Sequence, residues 1–491
     1  MDLTVSPLFL QRNEAKWDIC KPLSIIFNQS INSGLLPAEW KKARIIPIYK
    51  KGDSSDPSNY RPIALTSIPC KVMERIIHST MLNFIKENNI LSEDQFGFLP
   101  GRSTCLQLLS VLEDLTCSVD DGIPLDVVLI DFAKAFESVV HDKLVAKLDW
   151  YGFRGNLLSW LKDFLSERLQ YVVVGKSESN IQPVQSGVPQ GSVLGPLLFV
   201  LFLNDLKITN EIASLYKFAD DVELHSQVDT CTHLGLVNAV NTVFDWSTKW
   251  QLPIAPSKCS VLPIGCLNNN FSYTVSGDLL LPHVDSARNL GVWFTSDINF
   301  HTHCNMIVKT ANQRVAWLKK VFCTGDPTIL ISAFKAYVRP ILEYASPVWS
   351  PHLLGDIDHI ESVQRRFTKS LRGLKGKPYL ERLKLFNLDS LELRRLKADL
   401  YLTFSLLHGL LDFNFTKFFE LRADKRTRGH PFKLVVGSFN KDCRKYFFAN
   451  RVVNAWNSLP GELVMSNTLN CFKKELRNVD LTSFLRRGLN G

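Results

Sequence analysis

Apolar runs and amphipathic stretches alternate along the first 300 residues, and their spacing predicts most of the secondary structure. The β-branched run VVLID (127–131) predicts a buried strand that ends on a carboxylate. SLYKF (214–218) and VELH (222–225) predict a hairpin with two aspartates at its tip. Amphipathic helices are expected over 103–118 and 234–251. The acidic tip and the acidic strand end are the first candidates for chemistry.

Further strands are predicted on either side of this region. ARIIPIYK (43–50) and RPIAL (61–65) flank a loop rich in turn-forming residues. YVVVG (171–175) is expected to pair with the segment that precedes SGVPQGS. CSVLPIG (259–265) and NLGVWF (289–294) are each expected to form one strand.

The pattern changes after about residue 303, where helices with basic residues on one side dominate to about 412. In IESVQRRFTKSLRGL the apolar residues recur at three- and four-residue steps, and four basic residues fall largely off that stripe: Arg365, Arg366, Lys369 and Arg372. Residues 361–400 carry eleven Lys and Arg against five Asp and Glu. A solvated helix face and a surface that binds a nucleic-acid backbone explain this surplus equally well. A small mixed domain is expected over 413–491.

Composition narrows the class of protein. A chain of 491 residues suggests two to four domains, and a formal charge of +9 favours a polyanionic partner, either nucleic acid or an acidic membrane surface. The eleven cysteines show no CxxC pairing, and FHTHC (300–304) predicts the start of a helix rather than a metal site. The longest apolar run is about half of a membrane span, and no signal peptide is recognised. We therefore expect an intracellular soluble protein with no membrane partner, nuclear or cytoplasmic.

Three carboxylates are the strongest chemical signal. Asp220 and Asp221 are adjacent, although an acidic pair in a turn is common and weak by itself. Asp131 adds a charge at the end of an apolar strand, where a partner is needed. If that strand pairs beside the hairpin, the three groups converge and offer the hard oxygen ligands that suit Mg²⁺. Two such ions, roughly 4 Å apart, can activate a 3′-hydroxyl and stabilise a leaving pyrophosphate.

Two further features are consistent with nucleotide chemistry. SGVPQGSVLGP (186–196) is a Gly- and Pro-punctuated loop whose small residues allow close backbone approach, and Gln190 supplies a polar group there. Lys50, Lys51 and Arg61 surround the first hairpin loop, and cationic side chains are what a triphosphate requires. Taken singly, a helix-opening turn is an adequate explanation of the loop, and each cationic residue would more often be a solvated surface residue.

Eight stretches occur in the order in which one family carries them. They are WKKARIIPIYKKGD, NYRPIALTSIPCKVMERIIH, QFGFLPGRST, LIDFAKAFESVVHDKL, QSGVPQGSVLGPLLF, YKFADDVEL, WQLPIAPSKC and ARNLGVWF. From about residue 20 to 480 the chain resembles the reverse transcriptase of non-LTR retrotransposons, jockey-like elements in particular. The resemblance implies an α+β right-hand polymerase, with fingers and palm over 29–295, a helical thumb over 296–412, a C-terminal region over 413–491 and a divergent or truncated segment over 1–28.

The resemblance also implies roles for individual residues. The metal-binding triad would be Asp131, Asp220 and Asp221, holding Mg²⁺ or Mn²⁺. Substrate contacts would come from six residues: Lys50 and Arg61 on the triphosphate, the carbonyl of Phe132 at the metal, Phe136 against a ribose 2′-hydroxyl, Gln190 in the nucleotide pocket and Lys258 as a proton donor to pyrophosphate. Nucleic-acid contacts would come from Arg102, Arg365, Arg366, Lys369 and Arg372. Phe136 also suits a core aromatic, and Lys258 a plain surface lysine.

The chain departs from the family pattern at several places. Glu137 replaces the usual Asp, and Ala255 stands where Asn is usual, before Lys258. Relatives carry an endonuclease before the polymerase, which this sequence lacks, so nicking is expected from another chain or a missing N-terminal domain. The expected function is extension of a DNA primer with dNTPs on an RNA template. The alternatives are a catalytically inactive nucleic-acid-binding remnant of a mobile element and an RNA-dependent RNA polymerase, against which Phe136 argues.

Overall fold

The structure is a computed structural model, and it describes six stretches of the chain: 16–208, 212–228, 232–265, 271–275, 279–422 and 430–487. The first fifteen residues of the N-terminal segment predicted to be divergent or truncated lie outside these stretches. No helix among the described residues is long and apolar enough to cross a membrane.

Strands and helices follow one another in mixed order, as an α+β fold requires. The strands are β1 (Lys42–Tyr49), β2 (Tyr60–Leu65), β3 (Leu125–Asp131), β4 (Arg168–Val174), β5 (Ser177–Glu178), β6 (Gln182–Val184), β7 (Ser214–Phe218), β8 (Asp221–Gln227), β9 (Ser260–Ile264), β10 (Thr274–Val275), β11 (Leu279–Leu280), β12 (Ser286–Asn289) and β13 (Val292–Thr295). The helices up to residue 250 are α1 (Lys16–Ser33), α2 (Ile68–Glu87), α3 (Thr104–Asp120), α4 (Ala135–Ser138), α5 (His141–Trp150), α6 (Gly155–Leu165), α7 (Gly195–Leu203) and α8 (Thr232–Trp250).

The remaining helices belong to the second half of the chain. They are α9 (His301–Val321), α10 (Pro327–Tyr337), α11 (Arg339–Glu343), α12 (Ser346–Trp349), α13 (Leu354–Lys369), α14 (Tyr379–Leu385), α15 (Leu391–Leu407), α16 (Asp442–Lys445), α17 (Phe448–Arg451), α18 (Val453–Asn457), α19 (Gly461–Val464) and α20 (Leu469–Glu475).

The central sheet has the order β7–β8–β3–β9, and its neighbouring strands are all antiparallel. β3 is a β-branched run because it is covered on both faces, with Val127, Val128 and Ile130 all buried. The predicted hairpin is confirmed as β7 and β8, and the predicted strand over 127–131 begins two residues earlier. The register pairs the last residue of β3 with the first of β8, which fixes the site described below.

A second sheet contains the predicted β1–β2 hairpin. Its order is β2–β1–β4–β5, with β6 also paired to β4. The pairing of β1 with β4 is parallel and joins Lys42 to Leu169 and Ile45 to Val172. Nothing local in the sequence indicated this pairing, because the two strands are more than a hundred residues apart. It carries the loop after β1 to the edge of the acidic site.

The stretch PLLFVLFLNDL forms the buried helix α7, whose residues Leu197–Leu203 are inaccessible to solvent. Its apolar surface is closed by α2, α5, α6 and α8, which share one hydrophobic cluster with it. Glu74 on α2 fixes the backbone just before α7, since its Oε2 accepts the N–H groups of Val193 and Leu194 at 2.6 and 3.0 Å. The central sheet packs against this helical layer, since buried residues of β3 and β8 belong to the same cluster.

Two predictions about the second half of the chain are wrong. NLGVWF does not form one strand: β12 and β13 pair as a hairpin, and Leu290 and Gly291 turn the chain with positive φ of 42° and 90°. The C-terminal region is not mixed, since its described part contains short helices and a single isolated bridge, Leu421 to Leu434. FHTHC is confirmed as a helix start, with His303 and Cys304 buried.

Candidate active site

The register of the central sheet brings the three predicted carboxylates together. Asp131 lies directly opposite Asp221 in the antiparallel pair β3–β8, and directly opposed residues have Cβ atoms about 4.5 to 5.5 Å apart. Asp220 precedes Asp221 in the two-residue turn that joins β7 to β8. Ala219, the other turn residue, has a φ of 54°, which lets the chain reverse within two residues.

The acidic groups repel one another in partly desolvated surroundings. Asp221 reaches solvent, yet the protein packed around it removes hydration and, with the charges of Asp220 and Asp131, raises its pKa to about 6. Desolvation also raises the pKa of the half-buried Asp220, and the charge of Asp131 adds to this effect. Repulsion between these carboxylates therefore adds to the effect of desolvation on both pKa values. The donor set fits a hard divalent ion such as Mg²⁺.

A lysine partly neutralises the acidic cluster. Lys258 Nζ forms an ion pair with Asp131 Oδ1 at 2.8 Å, and both side chains are partly exposed. The N–H of Ala255 donates to the carbonyl of Asp131 at 2.8 Å, so the lysine segment is held by backbone even though Asn is replaced. As the side chains are arranged, no three His, Cys, Asp or Glu of the described residues form a ready metal cluster. Asp131 is therefore already paired with a cationic side chain of the protein.

The two predicted triphosphate-binding residues approach the carboxylates from the second sheet. Lys50 follows β1 and Arg61 lies on β2, and both are exposed. The charges of both residues act on Asp220 and oppose the rise of its pKa. This electrostatic effect supports the expectation that both residues lie near the acidic cluster. Lys51 is also exposed.

Two phenylalanines follow Asp131. Phe132 is buried, bridges to Ile254 and packs its ring against Trp246 at 6.1 Å between centroids. Phe136 lies on the short helix α4, half-buried, and stacks on Phe199 with centroids 4.4 Å apart. Phe136 is thus packed as a core aromatic on one face, and its role against a ribose stays a prediction.

The SGVPQGS loop is wedged between α4 and β2. Gln190 Nε2 donates to Glu137 Oε1 at 2.8 Å, and the backbone carbonyl of Gln190 accepts the N–H of Ala64 at 2.8 Å. A Cβ on Gly191 would lie 2.5 Å from the carbonyl oxygen of Ala64. Gly191 therefore allows the loop to approach the backbone of β2 closely, and the close contact seen here is within the protein. Glu137, noted only as a departure, holds the Gln190 amide.

The residues predicted to bind nucleic acid fall into two groups. Arg102 is occupied within the protein, since its Nη1 donates to the carbonyls of Glu93 and Gln95 at 2.6 and 2.7 Å. Arg365 is half-buried and lies over the ring of Tyr379 at 5.2 Å. The other three are exposed and can reach a partner: Arg366, Lys369 and Arg372.

Sequence reasoning missed two buried side chains that support the site. Glu74 fixes the backbone just before α7, as described above, and Gln95 contacts the turn that carries Asp220. Gln95 belongs to QFGFLPGRST, a block that drew attention only as part of a series. The available signal was a polar residue two positions before a glycine, and it indicated no partner.

Residues 48–294 match the family described as "Reverse transcriptase (RNA-dependent DNA polymerase)". The probable RNA-directed DNA polymerase from transposon BS of Drosophila melanogaster is 30% identical over 73% of this chain and 41% of its own length. The polymerases of the mobile element jockey and of the transposon X-element, from the same species, are 26% and 27% identical over 73% and 72% of this chain. This chain spans 40% of the length of each of the latter two.

Among solved structures, two telomerases are similar at a low level. Apo telomerase from Candida tropicalis, truncated from the C-terminal domain, gives a TM-score of 0.36 at 10% identity over 57% of this chain and 59% of that one. Telomerase from Candida albicans, with a fragment of telomeric RNA, gives 0.36 at 11% identity over 78% and 67%. Scores of that size carry no argument about this chain.

Proposed function

The chain belongs to the reverse transcriptase family, of the non-LTR retrotransposon type, and from that premise we propose that it extends a primer 3′-hydroxyl with dNTPs on an RNA template. The observation that supports the proposal most strongly is the register that sets Asp131 opposite Asp221 and beside Asp220. Lys50 and Arg61 face the same cluster from another sheet. Polymerase chemistry needs this combination of acidic and cationic groups.

The acidic cluster is proposed to hold divalent ions. Asp131, Asp220 and Asp221 would be the ligands, with the backbone carbonyl of Phe132 alongside, and Mg²⁺ or Mn²⁺ would suit their oxygens. When bound, such ions lower the pKa of a primer 3′-hydroxyl and stabilise the charge on a leaving pyrophosphate. The raised pKa of Asp221, about 6, supports this assignment, because it comes from desolvation first and then from the repulsion of Asp220 and Asp131, and a bound cation would offset both.

The surrounding side chains are proposed to bind and orient the nucleotide. Lys50 and Arg61 would hold the triphosphate by charge. Phe136, fixed by its stack on Phe199, would exclude a ribose 2′-hydroxyl sterically. Gln190, whose amide is held by Glu137, would line the pocket. Lys258 would first release Asp131, with which it is paired here, and would then donate a proton to the pyrophosphate.

The proposed partners follow from charge. An RNA template and a DNA primer would lie against the exposed thumb residues Arg366, Lys369 and Arg372, while Arg102 and Arg365 would act at most as secondary contacts. We propose fingers and palm over 29–295, a thumb over 296–412 and a further C-terminal region over 413–491. Endonuclease activity, where needed, would come from another chain or domain.

The test is primer extension on an RNA template, with and without Mg²⁺, comparing dNTPs with rNTPs. We expect Mg²⁺-dependent incorporation of dNTPs and little of rNTPs. Salt-sensitive binding to primer–template without any incorporation would instead identify a catalytically inactive remnant. Preferred use of rNTPs would identify an RNA polymerase, and either result would contradict the proposal.

A further inference from the structure

A short segment before α3 runs alongside the end of the catalytic hairpin. The N–H of Lys217 donates to the carbonyl of Asp94, and the N–H of Phe96 donates to the carbonyl of Lys217, both at 2.8 Å. These bonds make a parallel bridge between Gln95 and Lys217. The segment is therefore an added edge to β7, placed directly before the turn that carries Asp220.

The side chain of Gln95 reaches from this segment into the turn. It is completely buried, and its Oε1 accepts the N–H of Ala219 at 3.1 Å and the N–H of Gly97 at 2.8 Å. Two donors on one oxygen fix the orientation of the amide, because the opposite orientation would place an NH₂ group against two N–H groups. One acceptor thus ties the turn to the added edge.

The turn needs such an anchor. Ala219 has a Cβ and yet a φ of 54°, a conformation that residues other than glycine adopt at an energetic cost. Gly97 lies against it so closely that a Cβ there would be 2.5 Å from the nitrogen of Ala219. The turn is held by a contact that only glycine permits and by the Gln95 acceptor. Asp220 is the next residue along.

The nitrogen of the Gln95 side-chain amide differs from its oxygen in having no partner in the described part of the chain. Gln95 Nε2 is buried and has no hydrogen-bond partner among the residues that the structure describes. A buried donor without a partner destabilises a protein. The fold tolerates this at Gln95, where the acceptor oxygen holds the turn.

We propose that Gln95 is a positioning residue for Asp220. Its side-chain oxygen Oε1 fixes the strained turn and thereby holds the Asp220 carboxylate in place beside Asp131 and Asp221. The proposal rests on the proposed function, in which these carboxylates bind divalent ions. It differs from a purely structural role, which would stabilise the fold without any particular effect on metal binding.

The test compares three variants of the full chain. Gln95→Met keeps the length of the side chain and removes the acceptor, whereas Gln95→Glu keeps an oxygen in the same place. Gln364→Met is the matched control, because Gln364 is also fully buried and its Nε2 donates to Tyr379 and Asp389 at 3.0 and 3.1 Å, away from the turn. Two readouts that need no catalysis are hydrogen exchange of the peptide over 217–222, relative to α7, and Mn²⁺ affinity by electron paramagnetic resonance.

We expect Gln95→Met to speed exchange at the turn about tenfold relative to α7 and to weaken Mn²⁺ binding by about 10- to 100-fold, as loss of a group that orients a metal ligand does. Gln95→Glu should restore the protection of the turn, and Gln364→Met should change neither readout. Equal effects of the two Met variants, or unchanged Mn²⁺ affinity in Gln95→Met, would overturn the inference. Failure of the wild type to extend a primer while it binds Mn²⁺ would overturn the proposed function alone.

Discussion

At the scale of single residues, the acidic cluster is stabilised by a lysine in the place where a metal ion is expected. Lys258 neutralises Asp131 across 2.8 Å, while Asp221 keeps a pKa raised to about 6. The same lysine cannot pair with Asp131 and serve the pyrophosphate at once. Metal binding and release of Lys258 are therefore expected to be linked.

Removing that lysine should separate its two roles. In Lys258→Met the competitor for Asp131 is lost, so we expect Mn²⁺ to bind about two- to fivefold more tightly, the range of a partly exposed ion pair. Single-turnover incorporation should nevertheless fall by about tenfold or more, because a proton donor is lost. Metal titration and rapid-quench kinetics measure the two effects. Weaker Mn²⁺ binding in the variant would show that Lys258 does not compete for Asp131.

A second residue-scale prediction concerns sugar selection. Phe136→Val should raise the ratio of rNTP to dNTP incorporation by about tenfold or more. The variant replaces the ring stacked on Phe199 with a smaller side chain, which leaves space for a ribose 2′-hydroxyl. Phe84→Val is a matched control, since Phe84, on α2, also packs its ring against another phenylalanine, Phe153, with centroids 5.2 Å apart. Competition assays with paired nucleotides give the ratio. An unchanged ratio in Phe136→Val would leave Phe136 as a core aromatic only.

At the scale of secondary-structure elements, the loop that contains Gln190 joins the two sheets. Gly191 has a φ of 109°, and its backbone lies against Ala64 of β2. This contact, called the wedge below, joins β2 to the loop that leads into α7. A change in that wedge should therefore be felt in nucleotide binding as well as in stability.

Gly191→Ala tests the wedge. The new Cβ would lie 2.5 Å from the Ala64 carbonyl oxygen, so we expect a loss of about 2 to 4 kcal/mol in the free energy of unfolding and a raised KM for dNTPs. Gly175→Ala is the control for backbone conformation alone, because its φ is 62° and no atom lies within 4 Å of the new Cβ. Urea unfolding and steady-state kinetics compare them. Equal losses in the two variants would remove the case for a steric wedge.

Local pattern was enough to predict the hairpin, its acidic tip and strand β3, because burial imposes periodicity on neighbouring residues. It could not predict the parallel pairing of β1 with β4, which depends on distant contacts. The turn at Leu290 was missed because Leu gives no turn signal, although it adopts a φ of 42°. Gln95 was missed because a buried acceptor becomes visible only when its donors are placed around it.

At the scale of the whole molecule, the C-terminal region is tied to the back of the catalytic sheet. Lys417 Nζ donates to the hydroxyl of Tyr216 on β7 at 2.6 Å. Arg444 forms two bonds to Glu113 of α3, at 2.7 and 2.9 Å. Apolar residues of the C-terminal region and of α3 belong to one hydrophobic cluster. We therefore expect palm and C-terminal region to unfold together.

Breaking the Arg444–Glu113 pair tests this coupling. Both side chains are largely buried, at 16% and 11% exposure, so Arg444→Met should cost about 3 to 5 kcal/mol by leaving Glu113 without its partner. The double variant Arg444→Met with Glu113→Gln should recover part of that loss. Denaturation followed at several wavelengths should show one transition in the wild type. Two separate transitions there would mean that the C-terminal region is an independent unit.

The central claim is that Asp131, Asp220 and Asp221 hold the ions that drive nucleotide transfer. The most direct measurement is single-turnover dNTP incorporation by Asp220→Asn on an RNA template, beside Asp149→Asn, an exposed aspartate paired with Arg154. We predict a loss of about 10² or more in Asp220→Asn, without a fall in thermal stability because repulsion is relieved, and no loss in Asp149→Asn. Incorporation by Asp220→Asn at the wild-type rate would contradict the account.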